Sequence, residues 1–269
     1  MKKIINFYIR AFLIVSFISI PFIFIAFEDF KTNSFSYKMW IATFFPQLIY
    51  TVYLFKTQKW YDDFKNNFFG KSCNYWLALF SCLTPFIVYF SLILFKWIKV
   101  ENEINWDIEI VGYFILIFLS ALLEEILFRY IPYKILVKEV SVKNIILVSV
   151  FFSFFHLFNP NVNITGLINI VVAGVFFSLI YLKSNSIFFC SFIHAFWNFA
   201  IGCILGSNIS GIKTISLLQY YPEKPDFLSG GEFGFEGSIV TTIVFLISGF
   251  FIYQLKTNEI SEVNGKEFL

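Results

Sequence analysis

The chain has 269 residues, of which 58% are hydrophobic and 14% charged, and its mean hydropathy is +0.74. An ordinary soluble domain carries about 25% charged residues, so this composition excludes a soluble globular protein and predicts an integral membrane protein. The formal net charge of +2 disfavours nucleic-acid binding, because it provides no extended basic surface.

The apolar stretches predict an all-α fold. Crossing about 30 Å of hydrocarbon takes about 20 apolar residues in a helix. Eight stretches qualify, and they are 5–27, 39–55, 74–98, 108–136, 143–158, 164–182, 186–206 and 237–255. We therefore expect a polytopic membrane protein built as a bundle of about eight transmembrane helices. The four cysteines form no CxxC pair, which indicates small buried side chains; they are Cys73, Cys82, Cys190 and Cys203.

The distribution of basic residues predicts the orientation in the membrane. With the N-terminus in the cytoplasm, 14 of the 20 Lys and Arg residues lie on the inner side and 6 on the outer side. This asymmetry satisfies the positive-inside rule. We therefore expect an integral protein of a bacterial cell membrane with both termini in the cytoplasm.

Three regions can be distinguished along the chain. Residues 1–107 hold the N-terminal transmembrane helices and an amphipathic segment near 56–72, where Trp60, Phe64 and Phe68 are spaced as on one helix face. That spacing among lysines predicts a short helix in the inner headgroup layer. Residues 108–206 hold the next four apolar stretches. Residues 207–269 hold a glycine-rich loop, expected to be irregular and outside, followed by the last transmembrane helix.

The fourth apolar stretch contains three ionisable residues, Glu124, Glu125 and Arg129. In an apolar helix they would cost about 8–10 kcal/mol in total on insertion scales. Glu125 and Arg129 have the favourable i, i+4 spacing for an ion pair, whereas Glu124 is rotated by about 100° from Glu125. An unpaired carboxylate in such a place suits a general base. The alternative is a structural ion pair beside one partly hydrated glutamate.

The two histidines of the chain both lie in predicted transmembrane helices. A single intramembrane histidine more often makes a hydrogen bond between helices than it catalyses a reaction. His194 and Asn198, however, share a face of the seventh helix, and His156 lies at a depth similar to that of Glu124 on an antiparallel helix. One layer would then hold a carboxylate, two imidazoles and a carboxamide, which together can activate water and stabilise an oxyanion.

At these residues the chain resembles the CPBP intramembrane metalloproteases, the family of CAAX prenyl proteases and bacteriocin-processing enzymes that is also called Abi. The family pattern is E-E-x-x-x-R, then F-x-x-x-H, then H-x-x-x-N/D. Its three parts stand here as Glu124-Glu125 with Arg129, Phe152 with His156, and His194 with Asn198. Each motif is weak alone, but the ordered triple is specific. The resemblance covers about residues 108–206, which makes this region the catalytic core.

The resemblance implies an endopeptidase acting near the membrane surface. Glu124 and His156 would activate the water, His194 and Asn198 would stabilise the oxyanion, and Glu125 with Arg129 would support the site. Glu124, His156 and His194 are also a credible set of zinc ligands, yet the same groups can work without a metal. The expected partners are the lipid bilayer and a peptide or protein substrate, either a prenylated CAAX protein or a leader peptide.

Two other functions are compatible with such a chain. A non-catalytic immunity or scaffold protein could use the same fold, although it has no need for unpaired polar groups in the membrane. A proton-coupled transporter also uses intramembrane Glu and His, but its polar groups would follow a path from face to face. The clustering of these residues in one layer favours the peptidase.

The predicted topology can be tested by cysteine labelling. A single cysteine introduced into the 56–72 segment should react with a membrane-impermeant reagent only after the cells are opened, because the segment is expected in the cytoplasm. Labelling of that cysteine from outside intact cells would contradict the predicted orientation.

Overall fold

The computed structural model describes residues 1–32, 35–70, 75–101, 104–137 and 139–255. Helices make up most of this part of the chain, which confirms the predicted all-α class. The longer helices are α1 (Lys2–Ile25), α3 (Tyr37–Gln58), α5 (Tyr75–Leu94), α6 (Glu109–Glu125), α7 (Val142–Phe154), α8 (Ile164–Ser184), α9 (Ile187–Phe199) and α11 (Ile239–Gln254). The shorter ones are α2 (Phe27–Thr32), α4 (Tyr61–Phe68) and α10 (Asp226–Ser229).

Each of the eight predicted apolar stretches contains a helix, but these helices differ in length and polarity. Five helical segments in the described residues are long and apolar enough to cross a membrane, namely Lys2–Ile25, Tyr75–Leu94, Glu109–Leu136, Ile164–Ser184 and Ile187–Ile204. The helices α7 and α11 are apolar but shorter, with 13 and 16 residues. A polytopic membrane protein is therefore supported, and eight crossings remain a prediction.

Two helices continue as wider π-type turns, which the sequence did not predict. The helix α6 continues through Ile126–Leu136, and α9 continues through Ala200–Ile204. Pro132 lies inside the first of these segments. Proline has no N–H to donate and its ring collides with the preceding turn, so a wider turn relieves the conflict. The first π segment begins directly after Glu125 and contains Arg129.

Helix pairs bury the core. The most extensive contacts join α6 to α9, α7 to α8, α8 to α11 and α1 to α3. The largest buried side chains are aromatic, apart from Arg129, and they include Tyr8, Tyr130, Phe176, Phe177 and Phe245. By contrast, Phe17 and Phe24 of α1 are 75% and 78% exposed, as expected for side chains that face lipid.

The connections show more order than the sequence predicted. The loop after α9 contains a strand, β2 (Tyr220–Pro222), which pairs in antiparallel fashion with β1 (Ile98–Val100). It also contains α10 and two short 3-10 turns at Gly231–Phe233 and Phe235–Gly237. The predicted irregular loop is therefore a folded segment, because its backbone groups find partners within the loop and on β1. Its location outside the membrane stays a prediction.

The amphipathic segment contains the helix α4, with Phe64 packed against the rings of Phe55 and Tyr130 at 5.0 and 5.1 Å. Its aromatic face therefore contacts the helix bundle, and its position in the headgroup layer remains a prediction. Of the cysteines, Cys190 and Cys203 are buried and Cys82 is half-buried. Cys73 and the end of the 56–72 segment lie outside the described residues.

Close packing of α7 and α8 depends on Gly174. A Cβ atom at this position would lie 2.8 Å from Ser149 Cβ and 2.9 Å from Ser149 Cα. Gly174→Ala should therefore lower the free energy of unfolding by about 1–3 kcal/mol, measured as a lower melting temperature in detergent. Gly249→Ala in α11 is the matched control, because its Cβ would meet only Leu179 Cδ1 at an ordinary 3.7 Å. Equal melting temperatures for the two variants would contradict this account.

Candidate active site

The last two residues of α6 lie in different environments. The side chain of Glu125 is fully buried, whereas that of Glu124 keeps 24% of its surface exposed. The difference follows from the helix geometry, because consecutive side chains point about 100° apart. Glu125 therefore faces the neighbouring helices, and Glu124 faces a cavity.

Glu125 is the centre of a hydrogen-bonded cluster. Its Oε1 accepts from Arg129 Nη1 at 3.0 Å and lies 2.8 Å from His194 Nδ1. Its Oε2 accepts from the thiol of Cys190 at 3.1 Å. The i, i+4 ion pair expected from the sequence is therefore present, and Cys190 takes part in it instead of serving only as apolar filling. The cluster ties α6 to α9.

Arg129 is held by other contacts as well. Its Nη2 donates to the carbonyl oxygen of Gly174 at 3.3 Å, and its guanidinium lies 4.7 Å from the centre of the Phe152 ring and 5.6 Å from that of Phe177. Aromatic faces attract cations, so these rings help to compensate for lost hydration. In the described part of the chain, Arg129 Nε has no hydrogen-bond partner.

The hydrogen bonds define which ring nitrogen of each histidine is the donor and which is free. Glu125 is ion-paired and can only accept, so Nδ1 of His194 is the donor in their contact. Similarly, His156 Nδ1 lies 2.7 Å from the carbonyl oxygen of Phe152, which also only accepts. In both rings Nε2 is therefore the free nitrogen, and Nε2 of His194 lies 3.9 Å from Glu124 Oε2.

A single cavity of about 280 Å³ brings four of the predicted residues together. Glu124, His156, His194 and Asn198 all line it. His156 is positioned by the turn after α7, which ends at Phe154, and not by the helix itself as the sequence suggested. Within the described residues the Asn198 side chain makes no hydrogen bond, so its amide is available to a ligand. Many of the other lining side chains are aromatic and include Phe7, Tyr8, Phe128, Phe152, Phe155 and Phe177.

Sequence reasoning missed one carboxylate of this cavity. Glu236 belongs to the loop after α9, and it lines the same cavity as Glu124. The indole of Trp197 and the backbone and hydroxyl of Ser210 hydrogen-bond to it. No local pattern marks Glu236, because its position depends on how the loop folds back over α9.

The predicted zinc ligands have suitable chemistry. Free Nε2 atoms beside a carboxylate are the donors that zinc prefers, and a second hydrogen bond at Nδ1 is usual for ligating histidines. However, the described residues contain no group of three His, Cys, Asp or Glu side chains that converges closely enough to hold a metal ion. The zinc site thus stays a prediction.

The fold and this cavity define a class of protein, namely polytopic membrane proteins with a carboxylate, imidazoles and a carboxamide at one buried site. Residues 105–200 match the family model described as Rce1-like type II CAAX prenyl endopeptidase. This match contains every residue of the three motifs and confirms the resemblance to the CAAX protease family. No curated protein and no solved structure matches the chain.

The cluster around Glu125 predicts a stability effect. Glu125→Gln removes the charge that balances Arg129, and breaking a buried ion pair typically costs about 3–5 kcal/mol. The variant should therefore melt at a clearly lower temperature in detergent and give a lower yield. Glu109→Gln, at the exposed start of α6, should melt within a few degrees of the wild type. A Glu125→Gln protein as stable as Glu109→Gln would show that the pair is not a structural requirement.

Proposed function

We propose that this protein is an intramembrane endopeptidase that hydrolyses a peptide bond of a membrane-associated protein or leader peptide. The observation that carries the proposal is the single cavity lined by Glu124, His156, His194 and Asn198. The family match at residues 105–200 also supports it, because the description of that family names an endopeptidase.

In the proposed reaction, Glu124 is the general base. It takes a proton from a water molecule whose other hydrogen bond is accepted by the free Nε2 of His156. The oxygen of that water attacks the carbonyl carbon of the scissile peptide and forms a tetrahedral oxyanion. Collapse of this intermediate breaks the C–N bond, and the proton held by Glu124 passes to the leaving amine. General-base catalysis of this kind contributes about 10²–10⁴ in rate.

The oxyanion is stabilised by His194 and by the amide of Asn198. Because Nδ1 of His194 donates to Glu125, Nε2 can donate to an oxyanion only when the ring is doubly protonated. The contact of Nδ1 with the Glu125 carboxylate at 2.8 Å fixes the orientation of the ring in the cavity.

Two classes of substrate fit the proposal. The family description names CAAX prenyl endopeptidases, so a prenylated C-terminal peptide is one candidate. A leader peptide processed at the membrane is the other, as in the bacteriocin-processing relatives that the sequence motifs resemble. Incubation of the purified protein with both kinds of peptide, followed by mass spectrometry of the products, distinguishes them.

The role of a metal is decided by a separate measurement. If zinc is bound by Glu124, His156 and His194, active protein should contain it stoichiometrically, and His156→Ala should lose it. If Glu124 acts without a metal, activity should survive stringent chelation. A zinc that is required for activity and full activity after removal of that zinc exclude each other.

The proposed base predicts a distinctive variant. Glu124→Gln keeps the shape of the side chain but cannot take up a proton, so hydrolysis should fall by about 10²–10⁴ at a near-normal melting temperature. Turnover of a cleaved peptide and melting in detergent are the two measurements.

Glu125→Gln is the matched comparison, because its main effect should be a lower melting temperature. The role of Glu124 would be contradicted if Glu124→Gln kept more than about a tenth of the activity, well short of a general-base effect. Unfolding of Glu124→Gln but not of Glu125→Gln would contradict it as well. Wild-type protein that cleaves no peptide of either class would favour a non-catalytic immunity or scaffold function.

A further inference from the structure

Glu236 is a carboxylate in the cavity that the proposed hydrolysis does not use. Its Oε1 accepts from the indole Nε1 of Trp197 at 3.2 Å. Its Oε2 accepts from the backbone N–H of Ser210 at 2.7 Å and from the Ser210 hydroxyl at 2.8 Å. A carboxylate offers about four acceptor positions, so three are filled and one is left for a ligand.

The backbone around Glu236 is fixed on both sides. Phe233 and Phe235 are fully buried, and the Glu236 carbonyl accepts from Asn169 Nδ2 at 2.7 Å. Gly234 has a φ of 95°, and a Cβ there would lie 2.1 Å from the carbonyl oxygen of Asn208. Only glycine fits this close approach of two backbone segments. The carboxylate is thus held in place before any ligand arrives.

Among the described residues, no lysine or arginine lines the cavity to balance the charge of Glu236. Arg129 is paired with Glu125, and no ion pair of Glu236 occurs in the described ranges of the chain. A negative charge held in a cavity with aromatic walls attracts a cationic ligand strongly, because little water screens it.

Glu236 also lies close to the proposed reaction centre along α9. Its partner Trp197 follows His194 by three residues, which is about 4.5 Å along the helix axis. An extended peptide advances about 3.3 Å per residue, and a lysine or arginine side chain is long and flexible. A basic side chain within about three residues of the scissile bond could therefore reach Glu236.

We propose that Glu236 is a specificity residue that binds a lysine or arginine side chain of the substrate next to the cleaved bond. This inference rests on the proposed peptidase function for the meaning of the cleaved bond, but the binding itself does not require catalysis. Binding by Glu236 would restrict the substrate to peptide segments with a basic residue within about three residues of the scissile bond.

The test uses binding to an inactive protein. A library of acetylated and amidated decapeptides carries a lysine at one fixed position in half of its members and norleucine in the other half. Purified Glu124→Gln protein in detergent captures peptides from the mixture, and mass spectrometry gives the ratio of lysine to norleucine members. The Glu124→Gln background removes the other carboxylate that could attract lysine. We expect enrichment of lysine peptides by about ten- to a hundredfold, the usual range for a charged hydrogen bond.

Three further variants on the same background assign the effect to the charge of Glu236. Adding Glu236→Gln should bring the ratio to about one. Adding Ser210→Ala should preserve most of the enrichment, because it removes one donor and keeps the carboxylate. Adding Glu232→Gln, an exposed glutamate of the same loop, should change nothing. A ratio near one before Glu236 is changed, or a ratio unchanged by Glu236→Gln, would overturn the proposal and make Glu236 a loop anchor only.

A second measurement covers the case in which Glu236→Gln does not fold. Carbodiimide treatment of the Glu124→Gln protein with a lysine peptide should form an amide crosslink at Glu236, located by peptide mapping. Crosslinks only at other carboxylates would contradict the proposal. Lysine enrichment without hydrolysis by the wild type would argue against the peptidase, whereas hydrolysis without enrichment would argue only against the role of Glu236.

Discussion

The guanidinium of Arg129 lies fully inside the helix bundle, where an unpaired charge would cost several kcal/mol. Glu125, one turn earlier, balances it and thereby becomes the acceptor around which the site is arranged. The remaining acceptor capacity of that carboxylate fixes the ring of His194 and binds Cys190. Helices α6 and α9 consequently meet in one relative position, and the free nitrogen of His194 faces the cavity. The carboxylate that balances the buried charge of Arg129 thus also orients the ring of His194.

Two adjacent glutamates of identical chemistry have different environments because of this arrangement. Glu125 faces three hydrogen-bond donors, one of which is the Arg129 guanidinium whose charge it balances. Within the described residues Glu124 makes no hydrogen bond; its Oε2 lies 3.9 Å from His194 Nε2, and its side chain lines the cavity. A carboxylate without fixed donors can change its protonation state at little structural cost, whereas one with three donors cannot. The helical rotation between neighbours is sufficient to place one carboxylate inside the bundle and the other in the cavity.

The sequence predicted those features that depend on local geometry. The helices follow from apolar stretches, and the pair of Glu125 and Arg129 follows from a spacing within one helix. The grouping of Glu124, His156, His194 and Asn198 in one cavity could be predicted from the sequence. Consecutive membrane helices run antiparallel, so residues at similar distances from their connection lie at similar depths. Glu236 and the pairing of β1 with β2 depend instead on contacts between distant segments, such as the bond from Gly211 N–H to the Phe233 carbonyl. No periodicity encodes those contacts.

The position of Arg129 and its counter-ion on a single helix has a consequence for biogenesis. The continuous helical segment Glu109–Leu136 carries both charges, so this ion pair needs no later segment of the chain to form. The groups that complete the cavity are synthesised afterwards, in the order His156, His194 and finally Glu236, just before α11. The Glu125–Arg129 pair can therefore form before the later residues that line the cavity have been synthesised.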